Sequence, residues 1–446
     1  MHDLPPSLLG ACNDYLMGVE PEPLGPVLAS GLGLVSGIAE GPTGSTGDIL
    51  HLGPGERPGV DRLAKARAIL FYDRNPDKDL VGLCRHVGLP AVGGIAKPPE
   101  GMVVVDGLRG RVHGPGMTRL PQGPSTLESR VRAGLKIRVM GAAGSVTEAE
   151  ASIRRGASGM GLIRLEHLCQ TPERLPLLQQ LILLDPGPLA ETRACELAES
   201  LSPDVTAILG LCQGAPAIFR LFDTAWHEVL DEAMVGSLSG DAHFMKLWIE
   251  KRSLHSNLVR RGIRGTHRQG AILRAALMAL DKGTSTSAHP DLRILIPFTS
   301  TLEEIQKVRT DLGHRPWKLG AMVEHPAAVV SAPRWFSDLD FLSVGGGDLA
   351  QCFWGFSRDD RGDLYHMLRE GLISSDPFTQ LDDPMRTFLR PLLQAAKTHG
   401  AEVHFCGAQT LHPESADFLV GEGVGTLVCS HDMVVPLRLR LSGVAA

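Results

Sequence analysis

Between residues 135 and 429, short apolar runs alternate with amphipathic, helix-forming segments, and no other feature of the chain restricts its fold as much. The apolar runs fall at 135–140, 159–163, 217–221, 292–297, 319–323, 341–344, 403–405 and 426–429. Segments of helical period lie between them, among them 147–155, 268–280, 301–312 and 384–399. Runs of this length without in–out alternation are the mark of strands covered on both faces, as in a parallel sheet. About eight strand–helix units predict closure into a (β/α)8 TIM barrel, an α/β fold; an open doubly wound sheet is the alternative on pattern alone. With 446 residues, the chain has room for a second, smaller domain beside a barrel of about 250 residues.

That second domain is expected at 26–120, after a Pro-rich lead over 1–25 and before a barrel spanning 121–446. It reads as a compact α/β unit, with β-prone runs at 49–52, 68–71, 89–92 and 102–106 and a helical segment around 78–87. A net charge of -6 offers no basic field for nucleic acid, so an anionic ligand must rely on local arginines. Eight cysteines without a C-x-x-C pair suggest reduced thiols and a cytoplasmic setting. No run reaches the roughly 20 apolar residues of a membrane span, and the first residues do not resemble a signal peptide.

In such a barrel, chemistry gathers where strands end. Phe341-Leu-Ser-Val-Gly345-Gly346-Gly347-Asp348 is an apolar run delivering a carboxylate past three glycines, where backbone can come close to a ligand. Leu319-Gly-Ala-Met-Val-Glu324 delivers a second acid in the same way. Arg164, Arg220, Arg261, Arg264 and Cys406 follow other runs. Two carboxylates suit a hard divalent cation, and arginine forks suit carboxylate or phosphate oxygens. Taken singly, each residue has a plainer reading. An arginine can be a rim ion pair, an acid can favour the helix that follows, and Cys406 can be a small core residue.

The motifs around these residues resemble the phosphoenolpyruvate-binding half of the pyruvate phosphate dikinase family. Gly161-Leu-Ile-Arg164-Leu-Glu166-His167 is similar to its G-L-x-R-T-E-H segment, and Phe219-Arg220-Leu-Phe-Asp223-Thr-Ala-Trp-His227-Glu228 to R-L-L-D-P-P-L-H-E. Leu258-Val-Arg-Arg261-Gly262-Ile-Arg264 is similar to L-G-x-R-G-x-R, and Val323-Glu324-His325-Pro326 to I-E-x-P. The resemblance implies a phosphoenolpyruvate/pyruvate barrel, usually dimeric through the barrel. Arg164, Arg220 and Arg261 would grip phosphate or carboxylate together with the Gly345–Gly347 backbone. Glu324 and Asp348 would hold Mg²⁺ or Mn²⁺, and Cys406 would protonate an enolate carbon. The ligand implied is a small 2-oxo acid or enol phosphate.

The departures are equally specific. The family's G-T-N-D is Gly345-Gly346-Gly347-Asp348 here, the arginine after I-E-x-P is Ala327, and C-G-E-H-G-G-D is Cys406-Gly407-Ala408-Gln409-Thr410-Leu411-His412. The N-terminal unit resembles the family's swivelling phosphohistidine domain through Gly31-Leu-Gly-Leu-Val-Ser36-Gly37 and Arg85-His86-Val-Gly88-Leu-Pro90-Ala-Val-Gly93. Asp79 stands at the position of the phosphate-carrying histidine, without its Thr-Ser support, which implies a degenerate domain. No glycine-rich phosphate loop followed by Lys-Ser/Thr occurs, so any ATP-driven step would fall to a separate subunit. Two functions remain open: an enzyme working through an enolate, or a non-catalytic relative that senses ligand or binds a partner. If the N-terminal unit is degenerate, radiolabelled phosphoenolpyruvate leaves no acid-labile, base-stable label on the chain. Stoichiometric label of that kind on His86 or another histidine would contradict the reading.

Overall fold

The computed structural model describes residues 27–30, 32–35, 38–44, 48–54, 56, 66–73, 81, 84, 90–106, 111–114, 137–223, 229–230, 244–246, 248, 261–267, 270–285, 289–357 and 361–442. Asp79 and His86 lie outside them, as does most of the helix expected around 78–87. The chain divides into two compact units. One takes in Ile137–Ile153 and Ala157–Cys429; the other takes in Met1–Lys136, Arg154–Gly156 and Ser430–Ala446.

The first of these units is the expected TIM barrel. Eight strands close on themselves: β9 (Arg138–Ala143), β10 (Met160–Arg164), β11 (Ala217–Arg220), β12 (Leu292–Ile296), β13 (Lys318–Val323), β14 (Phe341–Gly345), β15 (Glu402–Cys406) and β16 (Thr426–Ser430). From β9 round to β16, each described ladder is parallel. Met140, Leu162, Ile218, Leu295, Met322, Phe341 and Val428 point inward and fill the bore, one from each of seven strands. The Phe341 ring lies over Gly320, its register partner on β13, so a large residue fills the space that a small one leaves. Fully burying an aliphatic or aromatic side chain of this kind contributes about 1.5–3 kcal/mol, which is why the apolar runs mark the strands so clearly.

Periodicity does not announce the longest helix among the described residues, Pro188–Cys212, because Pro203 stands inside it. Proline cannot bond the carbonyl four residues back. Ser202 Oγ takes up that Glu199 carbonyl at 3.1 Å, and the helix continues. By contrast, Leu302–Leu312 starts where expected, on a capping box between Thr301 and Glu304. Among the described residues, no helix is long and apolar enough to cross a membrane, and no disulfide joins the seven described cysteines.

The other unit carries an eight-stranded sheet whose strands, from one edge to the other, are Val27–Ser30, Arg111–His113, Met102–Asp106, Ile38–Gly44, Ile49–Leu52, Ala68–Phe71, Ala91–Gly93 and Leu32–Val35. Its parallel centre includes β4 (Ile49–Leu52) and β5 (Ala68–Phe71). Ile49, Ala68 and Leu70 belong to one apolar cluster, and Leu50, Leu52, Ile69 and Phe71 to another. Successive residues thus bury opposite faces of the sheet, as period two requires.

At the end of the barrel where its strands begin, Glu402 receives Arg138 of β9, Arg293 Nη1 of β12 at 3.0 Å, and His404 Nε2 at 2.8 Å. Arg293 also grips Asp291 through two bonds of 2.8 Å. Burial pushes the Glu402 carboxyl up, but His404, Arg293 and Arg138 outweigh it and hold the group below its ordinary value. A depressed carboxylate stabilises the fold above its unfolded value of 4.5 and loses that contribution as pH falls through the folded value. Glu402→Gln is therefore expected to melt earlier than wild type at pH 7, and to lose less of its remaining stability on acidification below 4.5. Thermal denaturation followed across pH checks both.

Candidate active site

The mouth of the barrel collects what the strand ends supply. A cavity of about 360 Å³ is lined by Arg164, Arg220, Arg261, Glu324, Asp348 and Cys406, joined by Glu166 and Asp223. Leu162, Val229, Met322 and Phe378 add an apolar wall. Arg164 and Arg220 close β10 and β11 as register partners, and Cys406 closes β15 as the partner of Gly345.

The arginines are not alike. Arg261, only 8 % exposed, spans two acids. Its Nε and Nη2 meet Asp223 at 3.2 and 2.5 Å, and its Nη1 meets Asp348 Oδ1 at 2.8 Å. Its face lies 4.5 Å from the Phe298 ring centre. Arg220 is held by Glu166 and stands 3.6 Å from Asp223. Burial works to lower the basicity of both guanidiniums, yet the surrounding carboxylates raise it above the ordinary arginine value, so both stay charged. Arg164, half-buried on the cavity wall, has no ion-pair partner within 4 Å among the described residues. Arg264 belongs elsewhere. Its Nε bonds Glu304 Oε1 at 2.6 Å, and the residue does not line the cavity.

Local backbone sets these positions. Gly262 has φ of 58°, and a Cβ there would stand 2.5 Å from the Pro297 carbonyl. The position admits glycine alone, and its N–H donates to Asp223 Oδ1 at 3.0 Å. Phe298 is a bulky residue at φ 46°, a conformation that costs on the order of 1–3 kcal/mol and that surrounding contacts must hold. Its N–H donates to Glu324 Oε1 at 2.6 Å while its ring supports Arg261. A Cβ on Gly345 would be 2.8 Å from Glu324 Oε2, so the glycine lets that carboxylate lie against the strand end. Gly345 and Gly347 line the cavity; Gly346, expected beside them, faces Gln409 and Phe405 instead.

Three guanidiniums thus face four carboxyls: Glu166, Asp223, Glu324 and Asp348. Glu324 is 1 % exposed. Burial, then Asp348 and Asp223, push its carboxyl up to about 8, against the pull of Arg220 and Arg261. Burial likewise raises Glu166, and Arg220 offsets this only in part. Burial raises the Cys406 thiol above its ordinary 9.0; Arg164 and Arg220 pull it down, while Glu324 and Asp348 push it further up. Cys406 is therefore a neutral thiol near pH 7, able to donate a proton. His325 and His404, outside this set, do structural work. His325 caps the helix Pro326–Ser331, and His404 is buried against Phe341.

Glu166 and Asp223 are the members to which motif reading gave no role. Both stand in the matched motifs, close to Arg164 and Arg220, and that is the signal that could have found them. A carboxyl raised in the folded state stabilises below its unfolded value, 4.5, and loses that contribution as pH rises through about 8. Glu324→Gln retains an acceptor for the Phe298 N–H and cannot ionise. Melting temperatures across this pH range are expected to fall for wild type and to stay flatter for the variant.

The profile of the family described as PEP-utilising enzyme, PEP-binding domain, matches residues 122–446. Pyruvate, phosphate dikinase of Rickettsia typhi (strain ATCC VR-144 / Wilmington) is 28% identical over 344 residues, covering 70% of this chain and 38% of that protein. The chloroplastic pyruvate, phosphate dikinase 1 of Oryza sativa subsp. japonica is 28% identical over 350 residues, covering 70% and 36%. The chain thus spans well under half the length of these curated relatives. Among solved structures, pyruvate kinase from Pyrobaculum aerophilum superposes with a TM-score of 0.34 at 11% identity, over 70% of this chain and 71% of that one. The chain belongs to the family of PEP-utilising enzymes, which it joins through the PEP-binding domain.

Proposed function

We propose that the barrel mouth is a Mg²⁺-assisted site for phosphoenolpyruvate, pyruvate or a related 2-oxo acid, and that its reaction passes through an enolate. The observation that carries this reading is one cavity holding a neutral thiol, an arginine without a carboxylate partner among the described residues and two acids that follow adjacent strands. Arg164 is free to take the substrate carboxylate in a bidentate grip. Arg220, held by Glu166, presents charge to the oxygen that becomes the enolate. Cys406 transfers its proton to the enolate carbon, forming a C–H bond as the S–H bond breaks and leaving a thiolate that the charges of Arg164 and Arg220 favour.

The donor set fits a hard cation. Mg²⁺ takes one or two carboxylates and completes its shell with water and substrate oxygens, as Glu324 and Asp348 would allow. The repulsion that raises Glu324 is the repulsion a divalent ion would cancel. Bound there, the ion would supply Lewis-acid stabilisation of negative charge on the substrate oxygens. Among the described residues, no group of three or more His, Cys, Asp or Glu side chains is placed to hold a metal ion, so the ion would rely on these two acids with water and substrate oxygens.

One observation favours the second reading, a ligand-sensing relative without catalysis. Arg261 engages Asp348 through Oδ1 at 2.8 Å and Oδ2 at 3.4 Å, so cation binding must loosen that contact. Deuterium exchange into the methyl group of pyruvate separates the two. The enzyme reading expects Mg²⁺-dependent exchange in wild type and its loss in Cys406→Ser, with oxalate affinity kept within about three-fold because thiol and hydroxyl differ little in bulk. Exchange that is equal in the two proteins would remove Cys406 from the chemistry. Its absence in wild type with every 2-oxo acid tried would favour sensing.

A further inference from the structure

Gln409 lies three residues beyond Cys406 and is fully buried, without lining the cavity. Its Nε2 donates to the Gly346 carbonyl at 3.1 Å and to the Pro377 carbonyl at 2.9 Å. Both partners are acceptors, so the amide orientation follows: with nitrogen and oxygen exchanged, an oxygen would face two oxygens. Gly346 opens the helix Gly346–Trp354, which carries Asp348 in its first turn, and Pro377 precedes Phe378 of the cavity wall. Between Cys406 and Gln409 the turn is closed by Thr410, whose N–H and hydroxyl reach the Gly407 carbonyl at 3.1 and 2.8 Å. Contact with Gly346 is close. A Cβ there would stand 2.6 Å from Gln409 Oε1 and 2.7 Å from the Phe405 ring.

One side chain therefore fastens together the segments that carry the thiol, the acid Asp348 and the apolar wall. We infer that Gln409 is a positioning residue, which holds Cys406 at the cavity beside Glu324 and Asp348 by tying its loop to the Gly346 and Pro377 carbonyls. The inference rests on the reading of Cys406 as proton donor. Residue type is decisive here. A carboxylate has no N–H to offer two carbonyls, whereas an imidazole N–H can serve one of them.

The test is the rate at which iodoacetamide alkylates each cysteine, read by peptide mapping at pH 8 in wild type, Gln409→Met, Gln409→Glu and Gln409→His. Loss of two neutral hydrogen bonds should raise loop opening, and Cys406 labelling, about ten-fold or more. Gln409→Glu should behave like Gln409→Met, with Gln409→His closer to wild type. Cys169, Cys212 and Cys429, buried elsewhere, should keep their wild-type rates, because the effect is local. Wild-type labelling of Cys406 in the methionine and glutamate variants would overturn the inference. So would acceleration of all the buried thiols together, which marks a general loss of stability. If the methionine variant does not fold, the glutamate variant, similar in size and polarity, carries the comparison. Labelling requires no turnover, so its outcome stands apart from whether wild type enolises pyruvate.

Discussion

Buried charge has to be balanced, and at the mouth of this barrel the balance is struck by Arg261. It joins Asp223, 38 residues away in the chain, to Asp348, 87 residues away. Removing one partner from a buried pair of this kind costs about 3–5 kcal/mol, because the other charge is left without compensation. The rest of the mouth follows from the clasp. Gly262 must be glycine so that the chain turns beneath it, Phe298 takes a left-handed backbone to lie under the guanidinium, and the Phe298 N–H then meets Glu324. The Glu324 carboxyl enters this arrangement uphill, pushed up to about 8 in burial beside two other acids.

That strain gives the site its chemical character. Four ionised carboxyls against three guanidiniums leave a net negative charge that opposes a multiply charged anion; a proton on Glu324 only brings the sum to neutrality, and a cation is needed to make it positive. Arg220 and Arg261 are committed to internal acids, whereas Arg164 has no such partner among the described residues, and in the proposed function it is the arginine that meets substrate. The far end of the barrel behaves differently. Around Glu402, Arg138, Arg293 and His404 converge on one carboxylate, which is depressed rather than raised. One end of the bore is electrostatically satisfied and stabilises the fold; the other is held short of satisfaction, as sites for charged ligands commonly are.

Much of this was legible in the residues. Buried parallel strands have an unmistakable apolar signature, so the strands from β11 to β16 fall within a residue or so of the expected runs, and β9 is displaced by three. Arg164, Arg220, Arg261, Glu324, Asp348 and Cys406 all reach one cavity because strand ends of a barrel share a face. What the residues did not reveal was who pairs with whom. An arginine after a strand reads the same whether a substrate or an internal acid awaits it. Only the fold assigns Asp223 to Arg261, Glu166 to Arg220 and Glu304 to Arg264. Gln409 in the sequence is a lost imidazole; in three dimensions it is a donor to two carbonyls.

The central claim is that Glu324 and Asp348 accept a divalent cation and that the ion makes the mouth receptive to a small dianion. Titration calorimetry with oxalate, a mimic of the pyruvate enolate, tests it most directly when run with and without Mg²⁺ in buffers of differing ionisation enthalpy. The account predicts oxalate binding only when Mg²⁺ is present, with a proton released near pH 7 as Glu324 ionises, and loss of binding in Asp348→Ala. Oxalate binding of equal strength without the ion, or binding unchanged in Asp348→Ala, would contradict it.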